Sequence, residues 1–386
     1  MARVVVGLSG GVDSSVAAHL LQEEGHEVIG IFMRNWNDES VTINNECPWI
    51  DDSNDAMMVA EHLGIPFRVM DFSAEYKNRI VDYMFAEYER GRTPNPDVLC
   101  NREIKFDAFL EAALQLNADF VATGHYCRRE VSADGRVQLL SGLDNNKDQS
   151  YFLCQVNQSQ LQKALFPIGH LQKSEVREIA NKIGLPTAAK KDSQGLCFVG
   201  KVKLPVFLQQ QLAPKKGRIL EIPREHTYYD DYLNKNADEN YEMPNWPRSL
   251  AVEVGQHQGA HFYTIGQRKG LGVGGRAIPL FVAGIDTEHN EVFVAEGDDH
   301  PALLRCGLKI EKGSENWPGG LNLLENASEI RVMARIRYRQ PLQPATLFRR
   351  NDETFLWFDE PQKAITPGQF AAWYQNEILL GSGIIV

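Results

Sequence analysis

Two cysteines of this sequence stand in settings that suit reactive thiols. Cys100 closes a proline-rich loop just before a helix predicted over 104–116, and the positive end of a helix favours a thiolate. Asp97 lies three residues earlier, within reach for general acid or base chemistry. Asp-x-x-Cys taken alone is a weak signal, and a buried, unreactive cysteine is the alternative. Cys100 is therefore a candidate nucleophile.

The second candidate thiol is Cys197. It lies two residues after a glycine and a few residues after Lys190 and Lys191, which is not a typical core setting. The remaining cysteines are scattered, and the sequence contains no Cys-x-x-Cys pair that would indicate a zinc site. We therefore expect thiols in a reducing compartment and no resident metal. These other cysteines are Cys47, Cys127, Cys154 and Cys306.

A glycine-rich loop near the start of the chain is the third chemical feature. A β-branched run ends in Gly10-Gly11 and opens onto an apolar-periodic segment, which predicts strand, tight loop and helix. Such a loop aims backbone N–H groups at an anion, usually phosphate. Ser9 and Ser14 add hydroxyl donors, and Asp13 adds a carboxylate that could hold magnesium or orient the loop. No Gly-Lys-Ser/Thr follows, which excludes a Walker loop; a glycine-rich turn that binds nothing is the alternative.

The elements that must position these residues alternate between strand and helix. We predict strands at 27–33, 67–70 and 119–123, helices at 55–63, 74–89 and 173–185 with Ser174 as the cap, and a hairpin at 128–140. This order predicts an α/β fold with a doubly wound parallel sheet, which binds ligands at the carboxyl ends of its strands. Met33, Gly124 and His125 lie at such ends. Met33 is equally suited to the core, and His125 to a structural role.

The character of the sequence changes near Lys203. Short β-like runs with glycine punctuation follow, including 217–220, 261–272 and 280–285, and they predict a small central β domain. Later alternating runs predict a C-terminal β-barrel. There Arg335, Arg337 and Arg339 share one face of a strand predicted over 331–339, suited to phosphate contacts or to solvent. We expect domains at 1–203, 204–282 and 283–386, with a loop insertion at 221–247.

Composition narrows the class of protein. The chain has 386 residues, 43% of them hydrophobic, and a net charge of -11. It contains no long apolar run, which argues against a membrane span, and its acidity argues against nonspecific coating of nucleic acid. The predicted first strand begins at the N-terminus and leaves no room for a signal peptide, so we expect a cytoplasmic protein.

Seven motifs together resemble one family. They are Ser-Gly-Gly-Val-Asp-Ser from Ser9, Asn-Pro-Asp-Val-Leu-Cys-Asn-Arg-Glu-Ile-Lys-Phe from Asn95, Ala-Thr-Gly-His-Tyr from Ala122, Lys-Asp-Gln-Ser-Tyr-Phe from Lys147, Asp-Ser-Gln-Gly-Leu-Cys-Phe from Asp192, Tyr-Thr-Ile-Gly-Gln-Arg-Lys-Gly-Leu from Tyr263 and Thr-Pro-Gly-Gln from Thr366. In this order they resemble the tRNA-specific 2-thiouridylases, members of the pyrophosphate-loop ATPases. The resemblance implies an adenine nucleotide alpha hydrolase-like sheet and ATP-dependent replacement of the C2 oxygen of a wobble uridine by sulfur.

The resemblance also implies roles for single residues. ATP and its magnesium would be held by the loop and by two strand-end residues. Cys197 would carry a persulfide, and Cys100 would attack it to release sulfide or would accept the disulfide after direct attack on the base. Either route joins the two cysteines, and Asp97 would shuttle the proton. The implied ATP site consists of Gly7, Leu8, Ser9, Gly10, Gly11, Val12, Asp13, Ser14, Met33 and Gly124.

The implied partners are a tRNA with a wobble uridine and a persulfide donor, either a cysteine desulfurase or a sulfur-relay carrier. Two other readings remain open: a pyrophosphate-loop synthetase acting on a small acid, and an RNA-binding protein that keeps nucleotide as a structural ligand. A variant of this chemistry that uses a metal cluster would need a third ligand beside Cys100 and Cys197, and none is evident in the sequence. The implied tRNA contacts are Asn95, Pro96, Asp97, His125, Lys147, Asp148, Gln149, Arg337, Tyr338 and Gln369.

Overall fold

The computed structural model describes residues 1–36, 48–191, 204–225, 241, 244 and 246–386. Three sheets organise this part of the chain. Cys197 and most of the predicted insertion at 221–247 lie outside the described residues.

The first sheet contains five parallel strands, in the order β3-β2-β1-β4-β7. In its centre Val5 of β1 pairs with Ile29 on one side and Val121 on the other. Val5 is buried in one core cluster and its neighbours Val4 and Val6 in another, so β-branched residues are buried on both faces of the sheet. The doubly wound parallel sheet is confirmed. Its strands are β1 (Arg3–Gly7), β2 (Glu27–Arg34), β3 (Phe67–Asp71), β4 (Phe120–Ala122) and β7 (Ala164–Leu165).

Helices cover this sheet on both faces. On one face Val16, Ala17 and Leu21 of the first helix are buried in a core cluster, because their spacing places them on one helical stripe. On the other face Ile104 and Phe109 of the fourth helix join a second cluster. The helices are α1 (Val12–Glu23), α2 (Pro48–Leu63), α3 (73–89), α4 (96–115), α5 (Gln158–Gln162), α6 (Lys173–Lys182) and α7 (Leu204–Leu208).

Helices α3 and α4 contain π-helical segments that the periodicity did not predict. The segments are Lys77–Val81 and Asn101–Ala108. In the second, the N–H of Phe109 donates to the carbonyl of Ile104, five residues earlier. Wider turns of this kind are frequent at functional sites. This segment directly follows Cys100.

A predicted helix start and a predicted cap residue are wrong. Helix α4 begins at Pro96 and not at Ile104, because Asn95 Oδ1 accepts from the N–H of Val98 at 3.3 Å and proline is well suited to the first helical position. Helix α6 begins at Lys173 after the cap residue Gln172, whose N–H donates to Glu175 Oε2 at 2.7 Å, so Ser174 is not the cap.

The middle sheet contains β8 (Gly217–Glu221), β9 (Val252–His257), β10 (Leu280–Asp286) and β11 (Glu291–Glu296), in the order β10-β11-β8-β9. The boundary expected between 282 and 283 falls inside β10, and β11 pairs with β8, so we propose that the middle unit continues to about Glu296. The β-like run predicted at 261–272 is wrong: it forms a short 3₁₀ turn followed by a loop, because Gly266, Gly270 and Gly272 adopt positive φ.

The third sheet contains eight strands, in the order β12-β15-β14-β13-β16-β17-β6-β5. Its edge hairpin, β5 and β6, comes from the N-terminal half of the chain, and Leu140 pairs with Ile378 of β17. The predicted hairpin is confirmed, but its union with the C-terminal strands was not expected. The strands are β5 (Cys127–Val131), β6 (Val137–Ser141), β12 (Leu304–Lys309), β13 (Glu329–Arg335), β14 (Gln343–Arg350), β15 (Glu353–Lys363), β16 (Phe370–Gln375) and β17 (Ile378–Ile384).

Two features are absent from the described residues. None of the helices in this part of the chain is both long and apolar enough to cross a membrane. Within the same ranges, no three His, Cys, Asp or Glu side chains are grouped so that they could hold a metal ion.

Candidate active site

The glycine-rich loop connects the end of β1 to the start of α1, and the Ser14 side chain holds the loop through hydrogen bonds. Ser14 Oγ accepts from the N–H of Ser9 at 3.1 Å, lies 3.2 Å from Ser9 Oγ and donates to the Gly11 carbonyl at 3.2 Å. No described side chain caps the N-terminus of α1. The N–H groups of its first turn can therefore bind an anion, and the helix dipole adds to the attraction.

Two glycines allow backbone to pack against this loop. Gly10 has φ +71°, and a Cβ there would lie 2.2 Å from the Asp52 carbonyl oxygen of α2. Gly124, just after β4, would place a Cβ 2.6 Å from the backbone nitrogen of Ser14. Side chains at either position would displace the loop. Gly124 thus brings the carboxyl end of β4 against the phosphate loop, and its contact with a nucleotide stays a prediction.

The apolar members of the predicted ATP site are buried. Leu8, Val12 and Met33 are each at most 3% exposed, so Leu8 and Val12 offer a nucleotide their backbone only. Met33 packs beneath the end of β1, with its Cε 3.0 Å from the position of a Cβ on Gly7. A contact between Met33 and the nucleotide stays a prediction.

Asp13 is held by two partners that sequence reasoning missed. Lys173 Nζ lies 2.7 Å from Asp13 Oδ1 and 2.9 Å from Oδ2, and the Tyr126 hydroxyl donates to Oδ1 at 2.8 Å. Of the two roles expected for Asp13, these contacts favour orientation of the loop over magnesium binding. The local signal for Lys173 was a basic residue at a helix start, where acidic residues are preferred.

The structure corrects the predicted surroundings of Cys100. The thiol is fully buried and belongs to the fifth residue of α4, beyond the first turn, so the dipole of this helix is not what favours its thiolate. Asp97 lies in the first turn of the same helix, and its carbonyl accepts from Asn101 Nδ2 at 2.9 Å. The catalytic roles of Cys100 and Asp97 stay predictions.

Lys105 and His125 connect the Cys100 helix to the sheet. Lys105 follows Cys100 by one π turn, and its Nζ lies 3.5 Å from His125 Nε2. The His125 Nδ1 atom lies 2.7 Å from the Thr123 hydroxyl. Burial lowers the pKa of His125 well below its ordinary value, and the charge of Lys105 lowers it further, so the imidazole is neutral near pH 7. His125 is 8% exposed, and its predicted contact with RNA stays untested.

The loop before Cys100 is anchored to the C-terminal barrel. Asn95 Nδ2 donates to Gln369 Oε1 at 3.3 Å, and Gln369 Nε2 donates to the carbonyls of Thr93 and Pro94 at 2.8 and 3.2 Å. The Thr93 N–H donates to the Pro367 carbonyl at 2.9 Å. The structure therefore brings together Asn95 and Gln369, two of the predicted tRNA contacts, across 274 positions of sequence.

The predicted contacts Lys147, Asp148 and Gln149 lie at and just after the end of a turn, beside Tyr126. Gln149 exchanges two hydrogen bonds with the Tyr126 backbone, one from its N–H at 2.9 Å and one to its Oε1 at 3.0 Å. Asp148 is buried, and its Oδ1 accepts the N–H groups of Gly142 and Ser150. The Asp148 carboxylate is thus occupied inside the protein, which favours a structural role; its contact with tRNA stays a prediction.

The predicted row of exposed arginines is wrong. Strand β13 ends at Arg335, so the alternation stops there, and Arg337 and Arg339 lie in the following turn. Arg335 is buried, and its Nη2 donates to Asp148 Oδ2 at 2.6 Å and to the Tyr374 hydroxyl at 2.7 Å. It supports the barrel and presents no charge to solvent.

Arg337 and Tyr338 lie at the edge of a candidate RNA surface. Arg337 Nη2 donates to the carbonyls of Lys363 and Ala364, at 3.0 Å to the former, and the Tyr338 ring lies 4.2 Å from that of Phe152. A cavity of about 590 Å³ opens beside Arg337. Its lining is basic and polar, as phosphate contacts require. The lining residues are Arg337, Arg339, Gln340, Gln343, Glu360, Pro361, Gln362 and Lys363.

The other described cysteines are poor nucleophiles. Burial raises the pKa of Cys154 to about 12 and that of Cys127 well above its ordinary value. Cys306 is half-buried, and its pKa is raised for the same reason. A thiol that stays protonated does not attack an electrophile at neutral pH.

Family models first show which kinds of domain the chain contains. Residues 2–201 match the family model of the tRNA methyl transferase HUP domain, 248–296 its PRC-barrel domain and 310–385 the aminomethyltransferase beta-barrel domain. A solved 4-thiouridine synthetase–RNA complex with bound ATP aligns at 17% identity over 54% of this chain and 50% of that chain, with a TM-score of 0.32.

Curated relatives narrow the class to a family. The chain is 59% identical to the tRNA-specific 2-thiouridylase MnmA of Christiangramia forsetii and 57% identical to that of Flavobacterium johnsoniae, with all of each chain covered. It is 44% identical to the Streptococcus mutans protein of the same name, over 99% of this chain and 95% of the relative. The chain belongs to the family of the tRNA-specific 2-thiouridylases, which are tRNA sulfurtransferases.

Proposed function

We propose that this protein catalyses ATP-dependent 2-thiolation of the wobble uridine of tRNA. One observation carries the proposal: Gly124 and His125, at the carboxyl end of β4, contact both the phosphate loop and the helix that contains Cys100. Gly124 packs on the backbone of Ser14 in the phosphate loop. His125 lies against Lys105 of the helix that contains Cys100. A nucleotide held by the loop and a base held beside Cys100 would therefore meet at one edge of the sheet.

Activation of the base comes first. The uridine C2 oxygen attacks the α-phosphorus of ATP, the bond to the β-phosphate oxygen breaks, and pyrophosphate leaves. The N–H groups at the start of α1 stabilise the charge that develops on the phosphates. Magnesium bound with the triphosphate would neutralise part of this charge. The oxygen at C2 has then become part of AMP, a much better leaving group.

Sulfur transfer follows, and two routes balance. In one, Cys100 thiolate attacks the Cys197 sulfur of the persulfide, sulfide leaves, and sulfide displaces AMP from C2. In the other, the terminal persulfide sulfur displaces AMP, and Cys100 then breaks the sulfur–sulfur bond to leave the thiolated base. Both end in a Cys100–Cys197 disulfide, which an external thiol must reduce in each cycle. Asp97 accepts the proton of the Cys100 thiol.

Catalysis and tRNA binding would fall to different parts of the chain. Residues 1–203 would form the catalytic unit, and the C-terminal barrel would bind tRNA through Arg337, Tyr338 and Gln369. The wobble base would unstack from the anticodon loop and would contact the anchored loop at 95–97. A cysteine desulfurase or a sulfur-relay carrier would load Cys197, and these partners are consistent with a cytoplasmic site of action.

A pyrophosphate-release assay tests the proposed function. We expect release from ATP that depends on a tRNA with a wobble uridine and that is lost when cytidine replaces this base. Release driven by a small carboxylic acid instead would indicate a synthetase. ATP binding without release under either condition would indicate an RNA-binding protein with a structural nucleotide.

A further inference from the structure

Lys173 and Asp13 form an ion pair at the mouth of the phosphate loop. Lys173 Nζ contacts both carboxylate oxygens, at 2.7 and 2.9 Å, and the Tyr126 hydroxyl contacts one of them at 2.8 Å. The Lys173 side chain is 13% exposed and that of Asp13 30% exposed. Partial burial of the lysine limits screening by solvent, so the pair is stronger than one at the surface.

The position of Lys173 is unfavourable for its own helix. It is the first residue of α6, where the positive end of the dipole disfavours a cation. The N–H of Lys173 is held by Asp144 Oδ2 at 3.0 Å, and Val176 of the same helix packs in the core with Ala17 of α1. These contacts fix the start of α6 beside the phosphate loop, and they place the Nζ of Lys173 at Asp13.

The negative charge of Asp13 is unfavourable for phosphate binding, and the positive charge of Lys173 compensates it. Asp13 is the second residue of α1, at the same helix end that is proposed to bind phosphate. An unneutralised carboxylate there would repel a triphosphate and would compete with it for the positive end of the helix. The Lys173 charge cancels that of Asp13, and the bidentate contact turns the carboxylate towards α6.

We propose that Lys173 is a positioning residue of the nucleotide site, which neutralises and holds Asp13 so that the loop accepts the phosphates of ATP. The inference rests on the proposed use of ATP. It assigns Lys173 no contact with the nucleotide, and it therefore predicts that the effect of Lys173 passes through Asp13.

The test is a double-mutant cycle on equilibrium binding of Mg-ATP, measured by titration calorimetry with the full chain. We expect Lys173→Met to weaken ATP binding about tenfold, which corresponds to about 1.4 kcal/mol. In the Asp13→Asn background, where no carboxylate charge remains, the same substitution should weaken binding by about twofold or less. Lys163→Met is the matched control. Lys163 Nζ contacts the Asp119 carbonyl at 3.4 Å, just before β4 begins, so it lies at the amino ends of the strands, away from the phosphate loop.

The outcomes separate the inference from the proposed function. Failure of the unmodified protein to bind Mg-ATP would overturn the proposed function and this inference with it. Binding by the unmodified protein with an unchanged Lys173→Met affinity would overturn the inference only, as would an equal loss in both backgrounds, since Lys173 would then act on the nucleotide directly. If Lys173→Met does not fold, Lys173→Gln, which keeps a donor without the charge, gives the same comparison.

Discussion

Arg335 and Asp148, separated by 187 positions in sequence, form a buried ion pair with an Nη2–Oδ2 distance of 2.6 Å. Arg335 ends β13 of the C-terminal barrel, whereas Asp148 lies in the turn that pairs with the Tyr126 backbone through Gln149. The pair therefore joins the barrel to the segment that borders the phosphate loop. The hydroxyls of Ser150 and Tyr374 accept further hydrogen bonds from Arg335 Nη2.

Removal of one member of this pair should destabilise the protein strongly. We expect Arg335→Leu to lower the free energy of unfolding by about 3–5 kcal/mol, because Asp148 is left as a buried, uncompensated charge. Urea denaturation followed by circular dichroism measures the change. The control is Arg331→Leu, which breaks a solvent-exposed pair with Asp359 and should change the free energy of unfolding far less. Equal losses in the two variants would contradict the structural role of Arg335.

Gly124→Ala should disrupt the phosphate loop. The new Cβ would lie 2.6 Å from the Ser14 backbone nitrogen, so the loop must move. Overpacking of this kind costs about 1–3 kcal/mol, and we expect ATP affinity to fall at least about tenfold. Gly319→Ala is the control, since no atom lies within 4 Å of its added methyl group. Unchanged ATP binding by Gly124→Ala would show that the loop does not hold the nucleotide.

Cys100→Ser should separate activation of the base from sulfur transfer. We expect tRNA-dependent pyrophosphate release to continue, because Cys100 takes no part in adenylation, while thiolated tRNA falls by on the order of 10³-fold or more. Mass spectrometry of the tRNA and a pyrophosphate assay measure the two steps. Cys306→Ser, in β12, should leave both at their normal level. Retained thiolation in Cys100→Ser would remove Cys100 from the chemistry.

Arg337→Ala should weaken tRNA binding in a salt-dependent manner. If Arg337 contacts a phosphate at the edge of the basic cavity, its loss should reduce the slope of log affinity against log salt by about one. Filter binding over a range of potassium chloride concentrations measures this slope. Arg350→Ala, at the end of β14, serves as a control for loss of a surface arginine. An unchanged slope would place Arg337 away from the RNA backbone.

The protein should lose stability at alkaline pH. Burial raises the pKa of Cys154 from about 9 and that of Tyr88 from about 10, in each case to about 12. The folded state therefore holds these protons more tightly than the unfolded state. This contribution is complete below pH 9 and is lost as pH rises towards 12. Chemical denaturation between pH 8 and pH 11 should show the decline, and Tyr88→Phe should make it shallower. A stability that rises over this range would contradict the prediction.

The amino-acid sequence alone determined the local chemistry of this protein. The phosphate loop, with the strand before it and the helix after it, follows from apolar periodicity and from the backbone freedom of Gly10 and Gly11. Both of these signals are local and extend over about a dozen residues. The alternation of strands and helices likewise predicted the parallel sheet. The signals for the start of α4, Asn95 and Pro96, were also present, although the predicted start overlooked them.

Tertiary structure decided which distant residues meet. The Lys173–Asp13 pair, the Asn95–Gln369 contact and the union of the β5–β6 hairpin with the C-terminal strands join segments between about 160 and 275 positions apart. An alternating pattern predicts which residues share a face only as far as the strand continues. Strand β13 ends at Arg335, and this arginine of the expected row is buried inside the protein. Pairing of this kind depends on the packing of whole sheets and on the need of each buried charge for a partner, neither of which local spacing contains.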